Sequence, residues 1–265
     1  MGLYNNRIVV KVGTSTLTND AGKSDLRTTD RLACVLSDIQ NMGYEVVLVS
    51  SGAIAVGRNK LNMTAKPDSM RMNQAAAEVG QCSLMYLYDK FFGDYDKTVA
   101  QILLNADDIE EEEKKENLIN TFNALLEMGV IPIVNENDSV SYKEIESEDR
   151  LFGDNDMLSA VVAVLCRAKH LVIFSDIDGF YDHDPRLYPN AQLIDQIDTI
   201  DDSVYALAGG AGSRRGTGGM RTKLQAAALA TSQGTNTIVT NGKRPEVLYD
   251  IVKGGRAGTL FPGKI

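Results

Sequence analysis

The sequence predicts an α/β fold in which helices cover both faces of a mainly parallel sheet. Three observations carry that prediction. Short β-branched runs alternate with segments of helical periodicity along the chain, several of those runs are apolar without a break, and "MLSAVVAVLC" (157–166) is apolar on nearly every side. Alternating strands and helices favour parallel pairing through crossovers, strands buried on both faces read as continuous apolar runs, and an all-apolar helix belongs inside.

The elements follow in order. "RIVVKV" (7–12) is a buried-type strand ended by Gly13. Leu32, Val35, Leu36, Ile39 and Met42 then fall at helical spacing, and Gly43 closes that helix. "EVVLVS" (45–50) is the next strand, and Met72, Ala76, Val79, Cys82 and Tyr86 mark a long helix after Pro67. "TVAQILL" (98–104) is a strand, followed by a helix through Leu118, Phe122 and Leu125. The acidic patch "DDIEEEEKKE" (107–116) between them is a solvated loop and helix start. "VIPIVN" (130–135) and "HLVIFSD" (170–176) are strands on either side of a polar loop and the buried helix. After a glycine-rich run come a helix from about Arg221 to Ser232, the strand "TNTIVT" (235–240) and a last helix–strand pair.

Composition narrows the function classes. The 265 residues carry no internal repeat and no Pro- or Ser-rich linker, so we read 1–265 as a single domain. A net charge of -9 argues against nucleic acid as a partner, because phosphate backbones demand a basic face. No apolar run approaches a membrane span and no signal peptide is legible, so neither membrane nor export is expected. Cys34, Cys82 and Cys166 are far apart and never in a CxxC pair, which suits reduced thiols in a cytoplasmic protein and excludes a zinc site. His170 and His183 have no triad or metal cluster around them in sequence.

In parallel sheets ligands bind beyond the C-terminal strand ends. Polar, glycine-bearing segments follow the strands there: "KVGTST", "VSSGAIAVG", "VNENDS" and "FSDIDGFYDHDP". Glycines let backbone N–H groups approach an anion closely. Neither a P-loop nor GxGxxG is present, and "VSSGAIAVG" lacks the first glycine of a nucleophile elbow. In this acidic chain, "AGGAGSRRGTGGMRTK" (208–223) stands out with four basic side chains and no acid. Lys11, at the end of the first strand, points across the sheet edge, and Lys223 lies in the first turn of the helix after that run. Alone, each is a solvated surface lysine; together they can grip a transferring phosphoryl group from two sides.

"KVGTSTLT", "LVSSGAIAVG", "NQAAAEVGQ", "VNEND", "GDNDMLSA", "SDIDGFYDHDP" and "GTGGMRTK" resemble, in order, the motifs of the glutamate 5-kinases, a branch of the amino acid kinase family. The resemblance covers almost the whole chain and corresponds to the kinase domain, without the RNA-binding-like domain that many members add. It implies a three-layer αβα sandwich, with a substrate lobe over about 1–165 and a nucleotide lobe over about 166–265. The implied reaction is ATP-dependent phosphorylation of the side-chain carboxylate of L-glutamate to glutamyl 5-phosphate, the first step of proline biosynthesis. Mg²⁺ is implied as a cofactor carried by ATP, with no metal bound by the protein itself. L-proline as feedback inhibitor, a homo-oligomer and glutamyl phosphate reductase as partner are implied too.

The resemblance assigns roles by motif. Lys11 and Lys223, with backbone N–H groups of Gly13 and Gly52, stabilise the γ-phosphoryl group, and Asp156 holds both lysines. Ser51, Asp138 and Asn155 match glutamate-binding positions, Asp138 as a buried acid opposite the α-ammonium. Lys11, Ser175, Asp176, Thr217, Gly218, Gly219, Met220, Arg221, Thr222 and Lys223 match the ATP site. Chemistry fits this assignment, because a carboxylate acceptor with pKa about 4.3 is already ionised and needs no general base. Simpler origins exist for some of these residues: Asp154 and Asp156 start a helix, where acids gain about 0.3–1 kcal/mol from the dipole. "SDIDGFYDHDP" also suits an ordinary turn around Gly179 and Pro185. The loop "SYKEIESEDRLF" (141–152) is longer and more acidic than the family pattern. Two other functions compete: a kinase of the same fold acting on acetylglutamate, aspartate, carbamate or a nucleotide, and a non-catalytic ligand-sensing module. "SSGA" and "NEND" argue against the first, and the retained lysines and "GDND" acids against the second.

Overall fold

Along the first strand, β1 (Tyr4–Val12), side chains alternate between two cores, and that alternation lays out the molecule. The computed structural model describes residues 4–19, 23–63, 69–140, 155–208 and 219–264. β1 is followed by α1 (Thr14–Leu17), α2 (Leu26–Asn41), β2 (Glu45–Ser50), α3 (Ala53–Lys60), α4 (Met70–Gly93) and β3 (Val99–Leu104). Then come α5 (Asp107–Glu110), α6 (Glu112–Glu127), β4 (Ile131–Glu136), α7 (Asn155–Leu165), β5 (Ala168–Ser175) and α8 (Asp202–Leu207). α9 (Met220–Ser232), β6 (Asn236–Asn241), α10 (Val247–Val252) and β7 (Thr259–Phe261) complete the described chain.

The strands form one 7-stranded sheet in the order β3-β4-β2-β1-β5-β6-β7. All pairings are parallel except β6 with β7. Successive strand side chains point to opposite faces. Ile8, Val10 and Val12 accordingly pack with Leu32 and Leu36 of α2, Val56 of α3, Ala77 and Leu84 of α4, and Leu248 of α10. Val9 packs with Phe122 of α6, Leu158 and Val162 of α7, and Leu224 and Ala227 of α9. The result is the expected three-layer α/β sandwich.

The same period places two basic residues of β1 on the α6/α7/α9 face, one at each end of the strand. Arg7, at the N-terminal edge, is buried and forms an ion pair with Glu45 at 2.7 Å. It also donates to the Cys166 carbonyl at 2.6 Å and to Asn123 Oδ1 at 3.1 Å, tying β1 to β2, α6 and the α7–β5 turn. Lys11 emerges at the opposite, C-terminal edge.

Helix termini follow local chemistry. Asp25 caps α2 by accepting from Thr28 N at 3.0 Å, and Ser69 caps α4 by accepting from Met72 N. The structure adds to the sequence reading in three places. The stripe Met72, Ala76, Val79, Cys82 and Tyr86 marks a true helix in which Ala76 is buried and Val79 half-buried, but Met72, Cys82 and Tyr86 are exposed, and α4 also buries Ala77, Gly80, Gln81, Leu84, Tyr88 and Phe92. The cause is α3, which crosses so closely that only the small-residue face fits against it. The acidic patch is more ordered than a loop, forming α5 and the exposed first turn of α6. Finally, α1, α3 and α8 were not anticipated.

Candidate active site

Three charged side chains converge where β1, α7 and α9 meet. Lys11 Nζ lies 2.5 Å from Asp156 Oδ1, and Lys223 Nζ lies 2.9 Å from Asp156 Oδ2. The Thr222 hydroxyl donates to the same Oδ2 at 2.9 Å, and both Thr222 and Lys223 belong to the first turn of α9. Asp156 is fully buried, and each lysine is only 7% exposed, so neither is the solvated surface lysine that its type suggests. Burial alone pushes the Asp156 pKa up, but the charges and hydrogen bonds of the two lysines outweigh it and hold the carboxyl well below the usual range. Among the described residues, two ammonium groups against one carboxylate leave a net positive centre in an otherwise acidic chain. Such a centre is suited to an anion that carries several charges.

Glycines open the backbone around this centre. Gly13 begins α1, and its Cα faces Lys11 Nζ with no side chain between. Gly52 begins α3 at φ +98°, a left-handed conformation that lets β2 turn sharply into the helix. Gly219 begins α9. Thr217 and Gly218, like Asp154 and the 141–152 loop, lie outside the described residues.

A second group sits on the β2/β4 side. Asn155, at the start of α7, donates from Nδ2 to the Ser50 carbonyl and to Asn135 Oδ1, each at 2.8 Å. Asn135 Nδ2 donates in turn to Gln81 Oε1 at 2.8 Å. The Ser51 N–H donates to the Val12 carbonyl at 3.0 Å, locking the end of β2 to β1. Asp138 follows β4 in a turn and is half-buried, which corrects the expectation of a buried acid: the strand ends at Glu136, two residues earlier.

The remaining expected residues lie around the β5 end. Ser175 is buried and donates to Asp176 at 3.3 Å, while Asp176 pairs with Arg186 at 2.7 Å. Arg221 is exposed and lies over the Tyr205 ring at 5.6 Å, at an open depression lined also by Asp202, Ala206 and Gln225. Met220 is half-buried at the start of α9. Among the described residues, no group of three His, Cys, Asp or Glu side chains is placed to hold a metal ion, and no helix is long and apolar enough to cross a membrane. Sequence reasoning missed Gln81, Asn135 and Arg186. The signal for Gln81 was its position on the small-residue face of α4, four residues after Ala77 and three before Leu84.

Residues 6–241 match the model of the amino acid kinase family. The chain belongs to the amino acid kinase family. Within the family it is 55% identical over 258 residues to a protein of Clostridium perfringens named glutamate 5-kinase, an alignment covering 97% of this chain and 96% of that one. A glutamate 5-kinase of Listeria innocua is 50% identical over 97% of this chain and 93% of its own length. Solved amino acid kinase folds align over nearly the entire chain. A T. acidophilum isopentenyl phosphate kinase has a TM-score of 0.66 at 18% identity, covering 96% of this chain and 99% of its own. A Giardia lamblia carbamate kinase has a TM-score of 0.67 at 15% identity, covering 98% of both chains. At such identities the two structures speak for the fold.

Proposed function

We propose that this family member transfers the γ-phosphoryl group of ATP to the side-chain carboxylate of L-glutamate, giving glutamyl 5-phosphate for proline biosynthesis. The carrying observation is the buried Lys11–Asp156–Lys223 cluster at the C-terminal sheet edge. The similarity to the Clostridium and Listeria glutamate 5-kinases supports the choice of acceptor.

A carboxylate oxygen of glutamate attacks Pγ, an O–Pγ bond forms, and the bond from Pγ to the β,γ-bridging oxygen breaks, leaving ADP with the electron pair. The acceptor is ionised at neutral pH, so no proton has to be removed. The protein's task is positioning and charge stabilisation. Lys11 and Lys223 reach the moving phosphoryl group from β1 and α9, and Asp156 fixes where their ammonium groups stand. Gly13 and Gly52 offer backbone N–H groups beside them.

Ser51, Asp138 and Asn155 hold glutamate on the β2/β4 side, the substrate half. Ser175, Asp176 and the segment from Thr217 to Lys223 hold ATP on the β5/β6 side, the nucleotide half. The net positive centre fits a polyphosphate, and Mg²⁺ enters on ATP, whose own phosphate oxygens it neutralises. We assign the chain to the cytoplasm as a homo-oligomer inhibited by L-proline. Because an acyl phosphate hydrolyses in water, glutamyl phosphate reductase is the fitting consumer of the product.

The test is turnover with Mg·ATP. L-glutamate should release ADP, and hydroxylamine should trap the acyl phosphate as a hydroxamate. Equal turnover with acetylglutamate, aspartate or carbamate would refute the assignment.

A further inference from the structure

Ser50 ends β2 with its side chain on the α2/α3/α4 face, continuing the period of Val46 and Leu48. There its hydroxyl meets the Tyr88 hydroxyl of α4 at 2.8 Å and the Ser51 carbonyl at 3.2 Å. Ser50 and Tyr88 are 2% and 1% exposed, so both hydroxyls must use partners inside the protein. A carbonyl can only accept, so the Ser50 hydrogen goes to Ser51. The Tyr88 hydrogen then goes to Ser50 Oγ, its polar partner among the described residues. Only this direction makes both bonds. A bond of 3.2 Å to the next residue is weak by itself, and the Tyr88 hydroxyl holds Ser50 in the rotamer that makes it.

The consequence falls on the N–H of Gly52. In the trans Ser51–Gly52 peptide the carbonyl and the N–H point in opposite directions. The Ser51 carbonyl is drawn to Ser50 Oγ on the α4 face, so the Gly52 N–H turns toward the α7/α9 face, where Lys11 meets Asp156. Gly52 precedes α3, where backbone N–H groups have no helical acceptor, and no described residue accepts from it. Its backbone borders the cationic centre. A Cβ on Gly52 would lie 3.8 Å from Thr14 Cα, and one on Gly13, next to Thr14, would lie 3.6 Å from Lys11 Nζ.

We propose that Ser50, anchored by Tyr88, is a positioning residue for phosphoryl transfer: it sets the Ser51–Gly52 peptide so that the Gly52 N–H is aimed at the transferring group. The proposal rests on the glutamate kinase reading above and deepens it. Neither hydroxyl touches the substrate. Charge growing on the phosphoryl oxygens meets a donor whose direction is fixed beforehand.

The experiment compares the wild type with Ser50→Ala and Tyr88→Phe in initial-rate titrations of glutamate and of Mg·ATP. Each variant removes one oxygen and keeps the rest of the side chain. Ser50→Ala should lower kcat about tenfold and Tyr88→Phe about threefold, with both KM values within about twofold, because an aimed donor acts on charge that develops in the transition state. Tyr88→Phe in the Ser50→Ala background should cost nothing more, since its effect passes through the Ser50 hydroxyl. Ser50→Thr returns the hydroxyl and should recover most of the kcat lost in Ser50→Ala. If Ser50→Ala does not fold, Tyr88→Phe decides by the same split of kcat against KM. An unchanged kcat in the single variants would overturn the proposal and leave the glutamate reading standing. So would full additivity in the double variant, or a raised glutamate KM with kcat intact, which would mean that the pair only shapes the corner at Ser51. A wild type that releases no ADP with glutamate would overturn the acceptor reading and this inference with it.

Discussion

Gly57 and Gly80 meet where α3 crosses α4, and neither position has room for a side chain. A Cβ on Gly57 would overlap the Ala76 carbonyl oxygen and stand 2.9 Å from Gly80 N. One on Gly80 would overlap the Ala53 carbonyl oxygen and stand 2.6 Å from Gly57 N. The backbones of the two helices are therefore in direct contact. This crossing fixes Gly52 at the start of α3 and Gln81, the next residue after Gly80, relative to each other.

Gly57→Ala or Gly80→Ala should force the helices apart. Overpacking of this kind costs about 1–3 kcal/mol or more. Thermal unfolding should show a Tm lower by roughly 3–10 °C. Because α3 follows directly on Ser51 and Gly52 at the end of β2, the glutamate KM should rise more than the ATP KM. An unchanged Tm would mean that the crossing is looser than described.

Lys11→Ala and Lys223→Ala should each reduce kcat by roughly a hundredfold or more, with the glutamate KM changed only a few-fold, as charge stabilisation in the transition state requires. Steady-state kinetics at saturating ATP separates the two constants. A near-normal kcat in either variant would remove that lysine from the catalytic machinery.

Asp156 should leave a pH signature in stability. Its carboxyl is held below the usual range in the folded state, so its contribution is fully present above the unfolded value of about 4. It is lost as pH falls from there through the folded value. Asp156→Asn leaves two buried ammonium groups without a counter-charge, which costs about 3–5 kcal/mol at neutral pH. The stability gap between wild type and variant, measured by urea unfolding, should be constant from pH 7 to 5 and shrink below about pH 4. A gap that widens on acidification would contradict the assignment.

Asp138→Asn keeps the shape of the side chain and removes its charge. If this half-buried acid pairs with the substrate ammonium, the loss should be about 1.5–2 kcal/mol, or roughly 10- to 30-fold in the glutamate KM. The ATP KM should hardly change. Parallel loss of proline inhibition would put proline in the same site, and intact inhibition would put it elsewhere. An unaltered glutamate KM would exclude the pairing.

Much of this was legible in the sequence, for identifiable reasons. β2 begins and ends where the apolar run "EVVLVS" does, and α7 is buried as its composition demands. Lys11, Asp156 and Lys223 were legible as candidates from motifs, but their contact is a property of chain topology that no local pattern displays. α3 was missed because its eight residues include Gly57, which lowers helix propensity and is tolerated here for the sake of a neighbour. Gln81 was passed over because a polar residue in a helix normally faces water, although its spacing from Ala77 and Leu84 puts it on the inward face of α4. Asp138 was read as too buried because β4 outlasts the run "VIPIVN" by a single residue, ending at Glu136 and leaving Asp138 in a half-buried turn that no apolar pattern describes.

Lys11 is carried by the first strand and stands in the middle of the sheet, between a strand made soon after it and one made much later. Its counter-charge waits for α7, and the second lysine lies a further 67 residues along the chain from Asp156. Contacts so distant in sequence form late, because long loops must close before they contribute. During refolding, ATP should therefore gain affinity only in the final phase, after helical signal has returned. On the proposed reading, a chain released before α9 is complete would carry Lys11 and Asp156 but lack Lys223, the second cation of the phosphate grip.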